Sequence, residues 1–356
     1  MGPSGFQEPE RQPMTKYIIR RILQAIPLII LITVTVFVLL KLSGDPLAYL
    51  AEDPRVTESD RRILRARYGL DDPLPLQFVH WLVGDDWYWR DLTGDGEPDE
   101  PGRRKGILRG DFGESIRYGK PVTEVIGQFL PNTLILGGTA YVVIIVMSLA
   151  VGIFAALRQY TVADNVITAV SFVTYSMPVF LLALLLVQIF AVQFQKWGLP
   201  HLPVSGMYDS RAEPSLEQLL RHLILPVASL ALISIAGYSR YIRATMLEVI
   251  NSDYVRTARS KGLREGRINF VHALKNASLP LVTLIGIDLP FVLSGAVITE
   301  TIFSWPGMGY MYINALEQLD APLLVAFVLL IAVAVVFFQL LTDIIYGWLD
   351  PRIRYD

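Results

Sequence analysis

The stretch DYVRTARSKGL, Asp253–Leu263, is followed by a short basic run and then by ALKNASLP ending at Pro280, and it lies between two long apolar segments. Eight cations gather in and just before it: Arg240, Arg243, Arg256, Arg259, Lys261, Arg264, Arg267 and Lys275. Gly262 falls where one amphipathic helix would end and another begin, because a residue without Cβ takes the left-handed conformation that closes a helix. The spacing predicts a charged helix-turn-helix elbow. On its first helix Tyr254, Ala258 and Leu263 approximate one face while Arg256, Arg259 and Lys261 occupy others, an apolar knob ringed by cations. Such a knob suits insertion into a partner's groove. A basic amphipathic segment is equally suited to anionic lipid at a membrane surface, and spacing alone does not choose.

Working outward, apolar residues make up 53% of the 356-residue chain and mean hydropathy is +0.43, above a soluble domain, with charge confined to a few segments. Apolar runs of roughly 20 residues, enough to cross about 30 Å of hydrocarbon, occur near Ile18–Leu42, Thr133–Leu157, Val166–Val192, Leu223–Ile242, Leu279–Thr299 and Leu323–Trp348. The fold class expected is all-α integral membrane with six helices. A β-barrel is excluded because these runs are continuously apolar instead of alternating. Six spans put both termini on one side, and the Arg-rich elbow assigns that side to the cytoplasm together with Lys16, Arg20, Arg21, Arg352 and Arg354. The loop Thr301–Pro322 has no Lys or Arg and faces outward.

The expected organisation is a polar, Pro-rich tail over 1–15, a first helix over 16–42 and an extracytoplasmic cap over 43–131. A five-helix core follows over 132–349, with the elbow at about 247–278, and a cytoplasmic tail over 350–356. The first apolar run lacks an A-x-A cleavage pattern and is too long for a signal peptide, so it reads as a retained helix. With no cysteine, the outer loop has no disulfides and the chain no thiol chemistry. The net charge of -2 points to no partner class, nucleic acid included.

Catalytic residues are not expected. The nearest approach to a phosphate loop, GESIRYGKP at Gly113–Pro121, has its glycines one residue too far apart, places Pro121 where a hydroxyl would hold magnesium, and lies in the outer segment. The histidines His80, His201, His222 and His272 are scattered with no i, i+4 partner. Any work done by this chain is therefore powered by another polypeptide.

DYVRTARSKGL with ALKNASLP resembles the EAA loop of ABC importer permeases in the dipeptide/oligopeptide form. KYIIRRILQAIPLI from Lys16, GDP at Gly44–Pro46, YGLDDPLPLQF from Tyr68, GDFGESI from Gly110, LPNTL from Leu130 and ETIFSWPGMG from Glu300 resemble that family in the same order. The resemblance implies a type I importer fold, a pairing with a second, similar permease, and docking of the elbow on cytoplasmic ATPases that bind ATP and magnesium. It also implies a prokaryotic inner-membrane location and an extracytoplasmic peptide-binding protein. Residues Asp253 to Leu263 become the ATPase-coupling candidates: Asp253, Tyr254, Arg256, Thr257, Ala258, Arg259, Lys261, Gly262 and Leu263. Arg256, Thr257 and Ala258 stand where the general motif has Glu-Ala-Ala, so the first charge is reversed and Asp253 is the nearby acid. Relatives of this kind also move nickel chelates, glutathione and sugars, and an ATP-independent secondary transporter or a membrane scaffold are the rival classes.

Asp288, within IGIDLPFVL, is an ionisable group at membrane depth, either on the translocation path toward a substrate's amino end or in a helix–helix hydrogen bond. Pro290 and Pro178 predict bends. Glu300 and the FSWPGMGYMY segment, Phe303–Tyr312, read either as a gate or binding-protein contact on the path or as an interfacial aromatic belt. Lys120–Leu130 reads as an amphipathic helix lying flat on the outer surface. In the insert Asp85–Gly106, DLTGDGEPD resembles a calcium loop: Asp91, Thr93, Asp95, the Glu97 carbonyl and Asp99 are two apart, Gly96 makes the turn, and Gly102 stands where a bidentate acid is usual. The alternatives are a structural calcium and a solvated acidic turn.

Overall fold

The computed structural model describes residues 14–42, 44, 47, 56–209, 212–278, 281, 284–286, 288 and 296–349. The expected tails up to 13 and from 350, most of the span over 279–299, Pro290, Arg352 and Arg354 lie outside the described residues. Among the described residues the architecture is all-α apart from one hairpin of two-residue strands. Helix α1 (Met14–Leu42) leads to the cap helices α2 (Glu58–Tyr68) and α3 (Leu74–Val83) and then the hairpin β1 (Trp89–Arg90) and β2 (Glu100–Pro101). The core follows with α4 (Val122–Leu157), α5 (Val162–Tyr175), α6 (Val179–Lys196, with π-helical turns at Val187–Gln193) and α7 (Leu216–Ile250). The elbow helix α8 (Asp253–Ser260) is followed by α9, which winds through Glu265–Arg267, a π-helical Ile268–Ala273 and Leu274–Ala277. Last come α10 (Val297–Ile302), α11 (Met308–Glu317) and α12 (Ala321–Leu349). Among the described residues five helices (α1, α4, α6, α7 and α12) are long and apolar enough to cross a membrane, which makes this a multi-pass membrane protein.

Two sequence expectations are corrected. The run Val166–Val192 is not one helix: Pro178 has no N–H to give and steers Met177 out of helical conformation, so α5 ends at Tyr175 and α6 starts at Val179. Lys120–Leu130 does not lie flat. From Val122 it forms the first turns of the 36-residue α4, which continues through Pro131, because Val122 and Val125 bury themselves against Met308, Met311 and Leu323. Burial against α11 and α12 outweighs the surface its polar face would have taken.

Helices α4 and α7 run parallel. Leu136, Ala140 and Ile144 pack with Leu223, Val227 and Ala231, and further along Ile153 and Ala156 pack with Ile242 and Met246. Gly152 is where they come closest: a Cβ built there would lie 2.7 Å from the Ser239 carbonyl oxygen and 2.8 Å from the Ile242 Cβ. Small residues at such crossings let membrane helices gain dispersion contacts that lipid cannot supply.

The cap is a folded unit. Helix α2 starts in a capping box between Thr57 and Asp60 and stops at Gly69, left-handed at φ 60°. Arg90 is its hub, donating from Nη1 to Asp72 at 3.1 Å and to the Ala66 carbonyl at 3.2 Å, and from Nη2 to Asp85 at 2.9 Å. Buried His80 sits beside it, with Nδ1 3.5 Å from the Asp72 carboxylate. Burial, reinforced by the Arg90 charge, pushes the His80 imidazole below its ordinary range. The rings of Phe78 and Trp81, tilted against each other, seat the cap on Phe37 of α1, with Phe78 edge-on to it. At the other side Asp320, just before α12, accepts hydrogen bonds from the Ser115 hydroxyl and the Arg117 amide.

Two outcomes follow. Gly152→Val drives α4 from α7 and lowers stability by about 1–3 kcal/mol, the range for overpacking, read as a fall in the melting temperature of the detergent-solubilised chain. For the cap, unfolded chain takes up the His80 proton below about pH 6.5 while the folded cap refuses it until lower pH, so stability is whole above that window and falls as pH drops through it. Protease resistance of the cap therefore declines as pH falls below about 6.5, and His80→Gln flattens the decline.

Candidate functional site

The elbow grows directly out of α7. Asn251 and Ser252 turn the chain, and α8 runs from Asp253 to Ser260. It closes in a Schellman motif: the Gly262 amide donates to the Arg259 carbonyl at 2.9 Å and the Leu263 amide to Ala258 at 3.3 Å, with Gly262 at φ 75°. The Arg259 guanidinium then clips Glu265 at 2.8 Å across the turn. Val255 and Ile268, one on each limb, are fully buried, whereas Tyr254 is 44% exposed and Phe270 58%. Ala258 and Leu263 are half-buried, so on the first limb the exposed apolar point is Tyr254 rather than the broader face the spacing predicts, and Phe270 and Val271 are exposed on the second limb. Asp253, Arg256, Thr257, Arg259 and Lys261 all face outward around it.

Not every cation of the region is available. Arg243 points into the bundle and forms a two-pronged pair with Asp164 of α5, 2.7 Å on each prong, and that carboxylate is nearly fully buried. Arg240 is clamped between the rings of Phe172 and Tyr175, at 4.5 and 4.7 Å. These two arginines tie α7 to α5, leaving the elbow cations proper beyond them. Residues 79 apart in sequence make the Asp164–Arg243 pair, and sequence reading missed it. The available signal was Thr161 followed by Asp164, a helix-start pattern that marks an acid fixed at the first turn of α5.

Asp288 is half-buried and accepts a hydrogen bond from the Tyr238 hydroxyl of α7. It is thus in a helix–helix hydrogen bond, and its second oxygen has no protein partner among the described residues. Glu300 is enclosed, 0% exposed. Its carboxylate accepts from Thr133 Oγ1 at 2.9 Å, the Gly309 amide at 2.7 Å and the Tyr310 amide at 3.1 Å, while Thr133 Oγ1 accepts from the Met308 amide at 2.6 Å. A buried carboxylate so satisfied clasps α4, α10 and α11 together. Phe303, Trp305, Met308 and Met311 are buried in the same region, so the segment Phe303–Tyr312 is a packed plug and not an exposed belt.

The loop from Asp91 to Asp99 spends its acids on itself. Asp91 accepts from the amides of Gly96 and Gly94, Asp95 from Glu97, and Asp99 from Leu92 and Thr93. Those amides of Gly96 and Gly94 hold the Asp91 carboxyl below its usual range. Among the described residues no three acidic or histidine side chains converge as metal ligands, and the acids of the loop are engaged by its own amides, the arrangement of an Asx-turn loop.

Comparison with known proteins follows this geometry. A family described as binding-protein-dependent transport system inner membrane component matches residues 148–355, and its N-terminal counterpart matches residues 14–137. The chain is similar to the oligopeptide transport system permease protein AppB of Bacillus subtilis (strain 168), with 38% identity over 344 residues covering 96% of this chain and 100% of AppB. It is also similar to the dipeptide transport system permease protein DppB of Escherichia coli (strain K12), with 34% identity over 367 residues covering 96% and 99%. The di/tripeptide transport system permease protein DppB of Pseudomonas aeruginosa (strain UCBPP-PA14) shows 35% identity over 361 residues, covering 96% and 99%. With matches spanning nearly its whole length, the chain belongs to the family of binding-protein-dependent transport system inner membrane components.

Proposed function

We propose that this chain is a permease subunit of an ATP-driven importer that moves dipeptides and oligopeptides into the cytoplasm by alternating access. The observation that carries the reading is the elbow: a rigid, cation-ringed projection with exposed Tyr254, anchored by Val255 and Ile268 and continuous with α7. The names of AppB and DppB support peptides as the cargo. In this reading the fold is one half of a type I importer in the prokaryotic inner membrane, with both termini and the elbow cytoplasmic and the cap outside. A second permease completes a heterodimer, two cytoplasmic ATPases bind magnesium ATP and hydrolyse it, and an extracytoplasmic peptide-binding protein delivers substrate. This chain carries no catalytic residue of its own. ATP-driven closure of the ATPases draws the elbows together, and because α8 and α9 are pinned to α7, the displacement rocks the helix bundles between inward- and outward-facing states. Asp288, with one oxygen held by Tyr238, is the group placed for a peptide's amino end.

Gly262 gives the test its sharpness. A Cβ there meets nothing within 4 Å in this chain, so Gly262→Asp costs the isolated subunit only about 1–2 kcal/mol of left-handed strain. In proteoliposomes holding the complete complex, wild type takes up labelled peptide only with ATP, and Gly262→Asp abolishes uptake while the helical content of the subunit is kept. Uptake that proceeds without ATP and ignores the substitution contradicts the reading.

A further inference from the structure

The cap holds a cavity of about 290 Å³ between α2, the hairpin and the segment leading to α4, at the small end of the range of about 300–1,000 Å³ for ligand pockets. Four arginines wall it, and their partners can be traced. Arg90 is committed to Asp72 and Asp85, and Arg103 to Glu100 at 2.9 Å. Arg67 and Arg104 have no carboxylate within ion-pair distance among the described residues, and neither guanidinium has a hydrogen-bond partner there. Of the cavity's other acids, Asp111 accepts from the Lys105 and Gly113 amides, while the Glu114 carboxylate is without a partner.

Arg104 is the informative member. Its backbone amide is fixed by Asp85 at 2.8 Å, and its half-buried guanidinium lies over the Tyr68 ring, 5.7 Å from the centroid. Burial pulls the Arg104 guanidinium below its ordinary range, opposed in part by the charges of Asp85 and Asp111, neither of which reaches ion-pair distance. The ring supports one face of the planar group and leaves its donor edge free, the arrangement in which an arginine reads a carboxylate through two parallel hydrogen bonds. Arg67 adds a second cation to the same wall, and Glu114 supplies the opposite sign.

We propose that this cavity is a binding site for a small zwitterionic peptide, whose terminal carboxylate is taken by Arg104 with Arg67 and whose amino end is taken by Glu114. The choice of ligand rests on the peptide-importer reading, and the inference goes beyond it by placing a capture site in the cap, apart from the spans and from Asp288. The site holds peptide beside the mouth of the permease before any conformational change.

The experiment is equilibrium binding of labelled dialanine and of its C-terminal amide to the assembled transporter in nanodiscs, without binding protein or nucleotide. Dialanine binds saturably and the amide about tenfold or more weakly; Arg104→Gln and exposed Arg67→Gln each weaken dialanine about tenfold, and Arg104→Lys retains part of the affinity. Protease resistance of the cap, measured alongside, separates loss of the site from loss of the fold, and Arg67→Gln carries the test should Arg104→Gln unfold the cap. The proposal is overturned by absent dialanine binding, by equal binding of acid and amide, or by binding that survives in a folded Arg67→Gln cap. Loss on Asp288→Asn without loss on Arg104→Gln places the peptide in the spans and also overturns it. Selective dialanine binding in a complex that shows no ATP-driven uptake supports the cap site while defeating the importer reading.

Discussion

Helices α4 and α7 meet backbone to backbone at Gly152, where any Cβ would lie 2.7 Å from the Ser239 carbonyl oxygen, and the position of the elbow follows from that contact. In lipid there is no hydrophobic drive for one helix to leave hydrocarbon for another, so association depends on close packing and on polar groups that find each other. The α4–α7 pair supplies the packing. The Asp164–Arg243 pair and the Arg240 clamp fix α5 to the same helix, and α7 then passes directly into α8. The elbow is continuous with α7, and its second limb is tied back to that helix where the Thr245 hydroxyl donates to the Ala277 carbonyl at 3.0 Å.

The same logic governs the end that carries the cap. Each buried acid of the region is used as a fastener: Glu300 holds Thr133 and the amides that begin α11, and Asp320 holds Ser115 and Arg117 at the start of α12. The glycines of FSWPGMG are required by these clasps, since a Cβ on Gly307 would meet the Glu300 carboxylate at 2.5 Å and one on Gly309 would meet the Val297 Cα at 2.7 Å. In the cap the fastening is ionic, through Arg90 to Asp72 and Asp85, and two of the arginines that line the cavity, Arg67 and Arg104, are left without such a pair among the described residues.

Local features were legible in the sequence and long-range ones were not. Continuous apolar runs announced the spans because hydrocarbon thickness sets their length, and Gly262 announced the end of α8 because its left-handed turn has few other solutions. The helix-turn-helix of the elbow and the exposure of its cations match the reading of the sequence. By contrast, the Glu300–Thr133 bond joins residues 167 apart and the Asp164–Arg243 pair residues 79 apart, and no periodicity encodes such partners. The amphipathic pattern of Lys120–Leu130 was real, but its apolar face was claimed by α11 and α12 instead of the membrane surface. In the acidic loop at Asp91 oxygen spacing alone did not reveal that backbone amides of Gly94 and Gly96 engage the carboxylate.

The 356 residues include no cysteine, so a single cysteine introduced at Lys261, beside the turn and exposed, reports on the elbow alone. Cross-linking from that position in the assembled transporter is the most direct test of the elbow as the place where ATP-derived force enters. The account predicts a cross-link to the ATPase subunit whose yield changes when ATP is added. A cysteine that reacts only with lipid-anchored reagents and never with the ATPase would contradict it and return the elbow to the membrane surface.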